Sequence, residues 1–244
     1  MRAVNRISGM IYKAEAVNAG LQALGYSIVN EIPHPTPADV LCLWNRTIRD
    51  EELARKFEQA GATVLIFENG YLGKSYCGHR WFAISDGHHN GLGWIPELGS
   101  ARRIRYMEHL GDWQDGTEIV ALPQRGIGES GVAMPRDYVF PSFCRVRRHP
   151  GTANCIPLEH DLANAKAVVT WGSGAAIKAL SMGVPCFHAF PFWIAASAST
   201  HVSIADYDNP PRPDRLSAFD RIFNGMWTQS EVESGEALCH YLSR

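Results

Sequence analysis

Residues 167–170 (Ala-Val-Val-Thr) are a near-continuous apolar run, Trp171-Gly172-Ser173-Gly174 turns the chain, and Ala175-Ala176-Ile177-Lys178-Ala179-Leu180 has helical composition. A strand without polar alternation is buried on both faces, the state of a strand in a parallel sheet covered by helices. Strand, tight turn and helix in that order are half of a parallel α/β unit, which argues against an all-β sandwich or a helical bundle. The same turn has a chemical reading. Glycine lets backbone approach a ligand, Ser173 can cap the helix or donate, and the first helical N–H groups carry partial positive charge, so the turn suits a phosphate. The plainer reading is a turn whose glycines serve packing alone. The order strand–glycines–helix favours the phosphate.

The alternation recurs along the chain. Residues 1–7, 26–29, 39–44 and 63–67 read as strands. Residues 12–24, with Ala14, Val17, Leu21 and Leu24 at helical spacing and Gly25 at the stop, and 50–60, with Asp50 as cap and Gly61 as stop, read as helices. Residues 70–100, rich in Gly, His and aromatics, read as functional loop with one strand at 81–84, and 101–110 as a short helix. A second series follows, with strands at 118–122, 143–147, 167–170 and 185–187, helices at 158–165 and 173–182, and a partly helical 191–203. Asn209-Pro210-Pro211-Arg212-Pro213 reads as a stiff linker before helices at 214–226 and 229–242. The expected organisation is α/β with two Rossmann-like lobes, 1–115 and 116–205, and a helical tail, 206–244, packing back on the first lobe. Ligands in such sheets bind beyond the carboxyl ends of the strands, so the residues that follow each strand are the candidates.

Charge and cysteine usage narrow the classes. The 244 residues carry 23 Lys and Arg against 25 Asp and Glu, which argues against a chain that grips nucleic acid through overall positive charge. The basic runs Arg102-Arg103-Ile104-Arg105 and Arg145-Val146-Arg147-Arg148 still permit a local phosphate-facing patch. The six cysteines include no CxxC pair, and Cys42, Cys144 and Cys186 lie in apolar runs, which fits a reducing compartment. With no signal-like segment and no apolar run approaching the ~20 residues that span a bilayer, the expectation is a cytoplasmic protein without a membrane partner.

Other candidates lie at predicted strand ends. His149, before Pro150-Gly151, follows a strand and suits a nucleotide or its phosphate, with Arg147 or Arg148 assisting. Alternation would aim only one of the two arginines at the ligand. Arg125 ends the strand at 118–122 and is a further donor-side cation. Glu68 ends an apolar strand near Asp86-Gly87-His88-His89-Asn90 and could act as a general base, with Asp86 and His88 as further catalytic candidates. The bland alternative pairs Glu68 with an arginine and leaves Asn69-Gly70 a plain turn. Asn45, Arg46 and Asn69 are candidates for acceptor or phosphate binding, while Lys178 reads as a solvated lysine. Gly126-Ile127-Gly128-Glu129-Ser130-Gly131 matches GxGxxG, but no good helix and no ribose-binding acid follow, so a dinucleotide cofactor is not expected. Cys77, His79, His88 and His89 match no ligand spacing, and Asp206-Tyr207-Asp208 lies far from a strand end, so no metal is expected either.

Arg147-Arg148-His149-Pro150-Gly151, residues 157–174 and Gly183-Val184-Pro185 together resemble the donor-binding half of GT-B glycosyltransferases, most closely the capsule-polysaccharide and Kdo-transferase-like group. Phe67-Glu68-Asn69-Gly70-Tyr71-Leu72-Gly73, Leu122-Pro123-Gln124-Arg125-Gly126 and the tail 227–237 also resemble small phage-encoded relatives. The resemblance implies a nucleotide-sugar donor, a UDP-sugar first, metal-independent transfer and a cleft between lobes. The acceptor would be a saccharide or, in a phage setting, a 5-hydroxymethylpyrimidine in DNA. On the same scaffold a sugar-nucleotide epimerase or hydrolase, or a nucleotide-sugar-binding protein without chemistry, is the alternative. The oligomeric state is not legible in the sequence.

Overall fold

A computed structural model describes residues 1–107, 109–129, 131–148 and 156–243. The chain divides into two compact units, Met1–Leu98 with Phe223–Arg244, and Gly99–Ile222. The divisions therefore differ from those the sequence suggests at 115 and 205. Residues 99–115 and 206–222 group with the second unit because hydrogen bonds tie them to it. The Gly111 N–H donates to Ser181 O at 2.9 Å and the Gln114 N–H to Gly183 O at 3.0 Å. The Arg215 guanidinium donates to Leu180 O at 2.6 Å and to Gly111 O at 2.8 Å.

The first unit begins β1 (Arg2–Asn5), α1 (Ile11–Ala23), β2 (Ser27–Val29), β3 (Val40–Trp44), α2 (Glu51–Gln59), β4 (Thr63–Asn69). These strands are parallel, in the order β2-β1-β3-β4. Alternation along β4 sends Val64 and Ile66 to a core with Leu41, Leu43, Ala54 and Phe57, and Leu65 and Phe67 to another with Val17 and Leu21 of α1. Both sheet faces are covered, which is why the strands read as unbroken apolar runs. A hairpin of β5 (Ser75–Tyr76) and β6 (His79–Asp86) follows, and β6 runs antiparallel to β4.

The second unit holds α3 (Ala101–Tyr106), β7 (Glu118–Leu122), β8 (Arg145–Val146), α4 (Leu158–Asp161), β9 (Ala165–Thr170), α5 (Gly174–Ser181), β10 (Cys186–His188) and β11 (Thr200–His201). The strands are parallel, in the order β8-β7-β9-β10-β11. The partly helical 191–203 resolves into two short 3₁₀ turns, Ala196–Ala198 and Val202–Ile204, around β11. Helix α6 (Leu216–Asn224) leads back to the first unit.

There the chain adds β12 (Met226–Thr228), antiparallel to β6, then α7 (Gln229–Glu233) and α8 (Glu236–Leu242). The sequence predicts helix through Met226 and one helix over 229–242, so this is a correction on both counts. Thr228 and Glu231 form a capping box that starts α7 directly after the strand. α7 lies so close to α1 that a Cβ on Gly20 would stand 2.0 Å from Val232 O. The Tyr241 hydroxyl donates to Ile84 O at 2.7 Å, and Trp227, Val232, Leu238 and Tyr241 complete the core around α1. Among the described residues no helix is long and apolar enough to cross a membrane.

Candidate functional site

In the second unit the strand order reverses direction between β7 and β9, and such a switch point opens a crevice beyond the carboxyl ends of the two strands. The Gly172-Ser173-Gly174 turn stands there. Thr170 fastens it: the hydroxyl donates to Leu122 O at 3.0 Å and accepts the Ser173 N–H at 2.9 Å, joining the ends of both strands. Ser173 has extended backbone and caps α5, its Oγ accepting the Ala175 N–H at 3.2 Å. The Ala176 N–H donates to Ser173 O at 3.0 Å. The N–H groups of Ser173, Ala175 and Ala176 are thus satisfied within the turn. Those of Gly172 and Gly174 have no partner among the described residues; Gly172 is buried and Gly174 exposed. Trp171 Nε1 donates to Val132 O at 2.9 Å, anchoring the loop that follows β7.

The other donor-side candidates fare differently. Arg125 follows β7, is exposed and makes no ion pair among the described residues. Arg147 is engaged. Its guanidinium pairs with Asp161 and donates to Ile156 O at 2.8 Å, so its charge is satisfied against α4 and its neighbouring loop rather than held out for a ligand. His149 lies outside the described residues. Lys178 pairs with Glu159 on the surface. Among the described residues no helix directly follows the Gly126–Gly131 loop, and the next element is β8. Asp206 Oδ1 accepts the N–H groups of Asp208 and Asn209 at 3.0 Å each, closing its own turn.

The first unit has its switch point between β1 and β3. Beyond β3, Asn45 adopts the left-handed conformation, φ 58°, which turns the next residue inward. That residue, Arg46, is only 6% exposed. Its Nε and one terminal nitrogen donate to Glu51 at 2.8 and 2.9 Å, that nitrogen also reaches Glu58 at 3.0 Å, and the other donates to Glu58 and to Gly87 O. All five guanidinium donors are used. The expectation that Arg46 binds acceptor or phosphate is therefore corrected: two carboxylates of α2 consume it. Burial works against its charge, but the bonds to Glu51 and Glu58 outweigh that and hold its pKa above the ordinary value. The Arg46 bond holds Glu51 down at about 2.

Glu68, Arg46, His88 and His89 come together. Glu68 accepts the Asn90 N–H at 2.9 Å, and burial raises its pKa against the opposing pull of His89 and that bond. His88 is 7% exposed; its Nδ1 accepts the His89 N–H at 2.9 Å, and its Nε2 has no partner among the described residues. Burial pushes its pKa down to about 4, so the imidazole is neutral near pH 7. The two rings lie 4.7 Å apart. Gly93 permits the tight loop, since a Cβ there would meet His88 O at 2.2 Å. Asp86 exchanges backbone hydrogen bonds with Trp94 at 2.9 and 3.0 Å.

Asn69 parts from Glu68, because neighbours along a strand face opposite sides. Its Oδ1 accepts from Lys13 Nζ at 3.1 Å, on the α1 side. Lys13 is the residue that sequence reasoning missed: in the first turn of a helix it reads as an ordinary surface lysine. It is 7% exposed, its Nζ lies 3.4 Å from the centroid of the Trp44 ring, and burial, then the charge of Lys74, lower its pKa to about 8. Among the described residues no group of three His, Cys, Asp or Glu side chains is placed to hold a metal ion.

Two solved structures share this fold. The chain is similar to Thermosulfurimonas dismutans KpsC, beta Kdo 2,7 transferase, with a TM-score of 0.58 and 13% identity over 97% of this chain and 98% of that one. It is similar also to the beta Kdo 2,4 transferase of the same KpsC, with a TM-score of 0.52 and 15% identity over 91% of this chain and 89% of that one. The fold is α/β of the GT-B-like class, built on parallel sheets with helices. No protein-family model matches the chain, and no curated protein matches it.

Proposed function

We propose that the protein is a glycosyltransferase that moves a sugar from a nucleotide-sugar to an acceptor hydroxyl. The observation that carries this reading is the pair of unpartnered N–H groups of Gly172 and Gly174, around a capped Ser173 at the β7/β9 switch point. Preorganised donors of this kind stabilise charge that develops on a leaving group. In the reaction, the acceptor oxygen bonds to the anomeric carbon as the bond from that carbon to the phosphate oxygen breaks. The freed phosphate takes up the electron pair at the glycine amides and Arg125, so the transfer needs no metal. Glu68 of the first unit, whose pKa burial raises, is the candidate base for the acceptor proton.

The two similar structures are described as Kdo transferases, which favours a saccharide acceptor. A 5-hydroxymethylpyrimidine in DNA is the acceptor the phage-like sequence strings bring in. The balance of 23 basic against 25 acidic residues speaks against it, because DNA affinity rests heavily on phosphate neutralisation. The test is incubation with UDP-, GDP- and CMP-linked sugars and with glycan or hydroxymethylated DNA, read by mass spectrometry. A mass gain of one sugar on the glycan is the expected result. Release of free nucleotide without any acceptor would instead identify a hydrolase, and donor binding without turnover a binding protein.

A further inference from the structure

The start of α1 carries positive charge that no ion pair among the described residues neutralises. Lys13 is buried with one amide oxygen as partner, and the charge that acts on it, that of Lys74, has the same sign. Arg80 lies 4.7 Å from the ring centroid of Tyr12, the residue before Lys13. Lys74 is held next to β6 by the Trp81 N–H, which donates to its carbonyl at 3.0 Å. Among the described residues none of these three cations has an ion pair. The helix adds to the imbalance. Its first turn holds no acid, its N-cap residue Met10 makes no side-chain bond, and the N–H groups of Ile11 and Tyr12 have no partner among the described residues.

Burying an ammonium beside a like charge is unfavourable, and an anion bound there would relieve it. The place fits a ligand: α1 follows β1, Trp44 ends β3, and Asn69 ends β4, so the cluster stands at the β1/β3 switch point of the first sheet. We propose that Lys13, Lys74 and Arg80 form a binding site for an oxyanion, the carboxylate or phosphate of an acceptor molecule. The identity of the ligand as acceptor rests on the transfer reading; the binding of an anion does not. Lys13 gives the fixed charge-assisted bond, while the exposed Lys74 and Arg80 close on the anion from solvent.

The test is calorimetric titration of the full chain at about 20 mM salt, where screening is weak. It uses glucuronate, glucose 6-phosphate and glucose. The Ser173→Asp background removes competing anion binding at the other sheet, and aspartate still caps the helix. The expected result is binding of at least one anion about tenfold or more tighter than glucose. Preference between glucuronate and glucose 6-phosphate tells carboxylate from phosphate. Lys13→Met should weaken that binding about tenfold or more, as should the pair Lys74→Gln with Arg80→Gln, whose exposed side chains leave the fold intact. Lys56→Gln, an exposed cation on α2, should change nothing. Equal affinity for anions and glucose, or anion affinity indifferent to Lys13, Lys74 and Arg80, overturns the proposal. Anion binding in this background, together with no sugar transfer by the parent chain that carries Ser173, sinks the transfer reading alone.

Discussion

The two parallel sheets use the same strand sequence around their switch points, β2-β1-β3-β4 and β8-β7-β9-β10, yet the turns that follow are treated in opposite ways. After β9, the chain satisfies what it must through Thr170 and Ser173 and leaves two glycine N–H groups without a partner among the described residues. After β3, a left-handed Asn45 turns Arg46 inward, where Glu51, Glu58 and Gly87 take every donor. One turn leaves donors without a partner among the described residues; the other uses them to hold a loop. Position at a switch point is therefore not enough to make a residue functional. What matters is whether its donors already have partners.

The contrast can be broken or sharpened by mutation. The largest effect expected is on turnover: Glu68→Gln removes the base and should lower kcat by ~10²–10⁴-fold while donor affinity stays unchanged. Equal losses in kcat and donor affinity would mean that Glu68 supports the fold instead. Arg46→Met should destabilise by about 1–3 kcal/mol in denaturant unfolding, because Glu51 keeps only Arg55 and the partly exposed Glu58 loses its partner. A loss under about 1 kcal/mol would show that the closed turn is not held as described. Ser173→Asp should cut nucleotide-sugar affinity by about 10²-fold through like-charge repulsion, roughly 2–3 kcal/mol. Its stability should stay within about 0.5 kcal/mol of the parent, because aspartate is as good a cap. Lys13→Met should stabilise the free protein by about 1–2 kcal/mol at pH 7. The sign follows from the lowered pKa of Lys13, about 8: the folded chain gives up that proton before the unfolded chain does. Stability should rise with pH between about 8 and the ordinary lysine value of 10.5, and the variant should lose that rise.

Much of the second switch point was legible because the signals are local. The apolar run, the glycines and the helical composition sit next to one another, and α5 begins one residue after the expected cap. The strand β12 was not legible: three residues are too few to show a period, and its pairing partner β6 lies far away in sequence. The single helix expected at the end breaks at Gly235, φ 82°, which composition alone did not reveal. At the sites, the misses are questions of partner. Nothing near Arg46 or Arg147 says that Glu58, or Asp161, lies in the fold where it takes the charge. Glu68 and Asn69 look like one motif and face opposite sides, a consequence of strand geometry rather than of residue type. Lys13 was invisible for the same reason in reverse, since only the fold shows that no carboxylate among the described residues pairs with it.

The most direct measurement is a crystal structure with UDP bound. Phosphate oxygens are expected within hydrogen-bonding distance, about 2.7–3.2 Å, of the Gly172 and Gly174 nitrogens on either side of the Ser173 cap of α5. Phosphates lodged elsewhere, with those two N–H groups covered by protein, would contradict it.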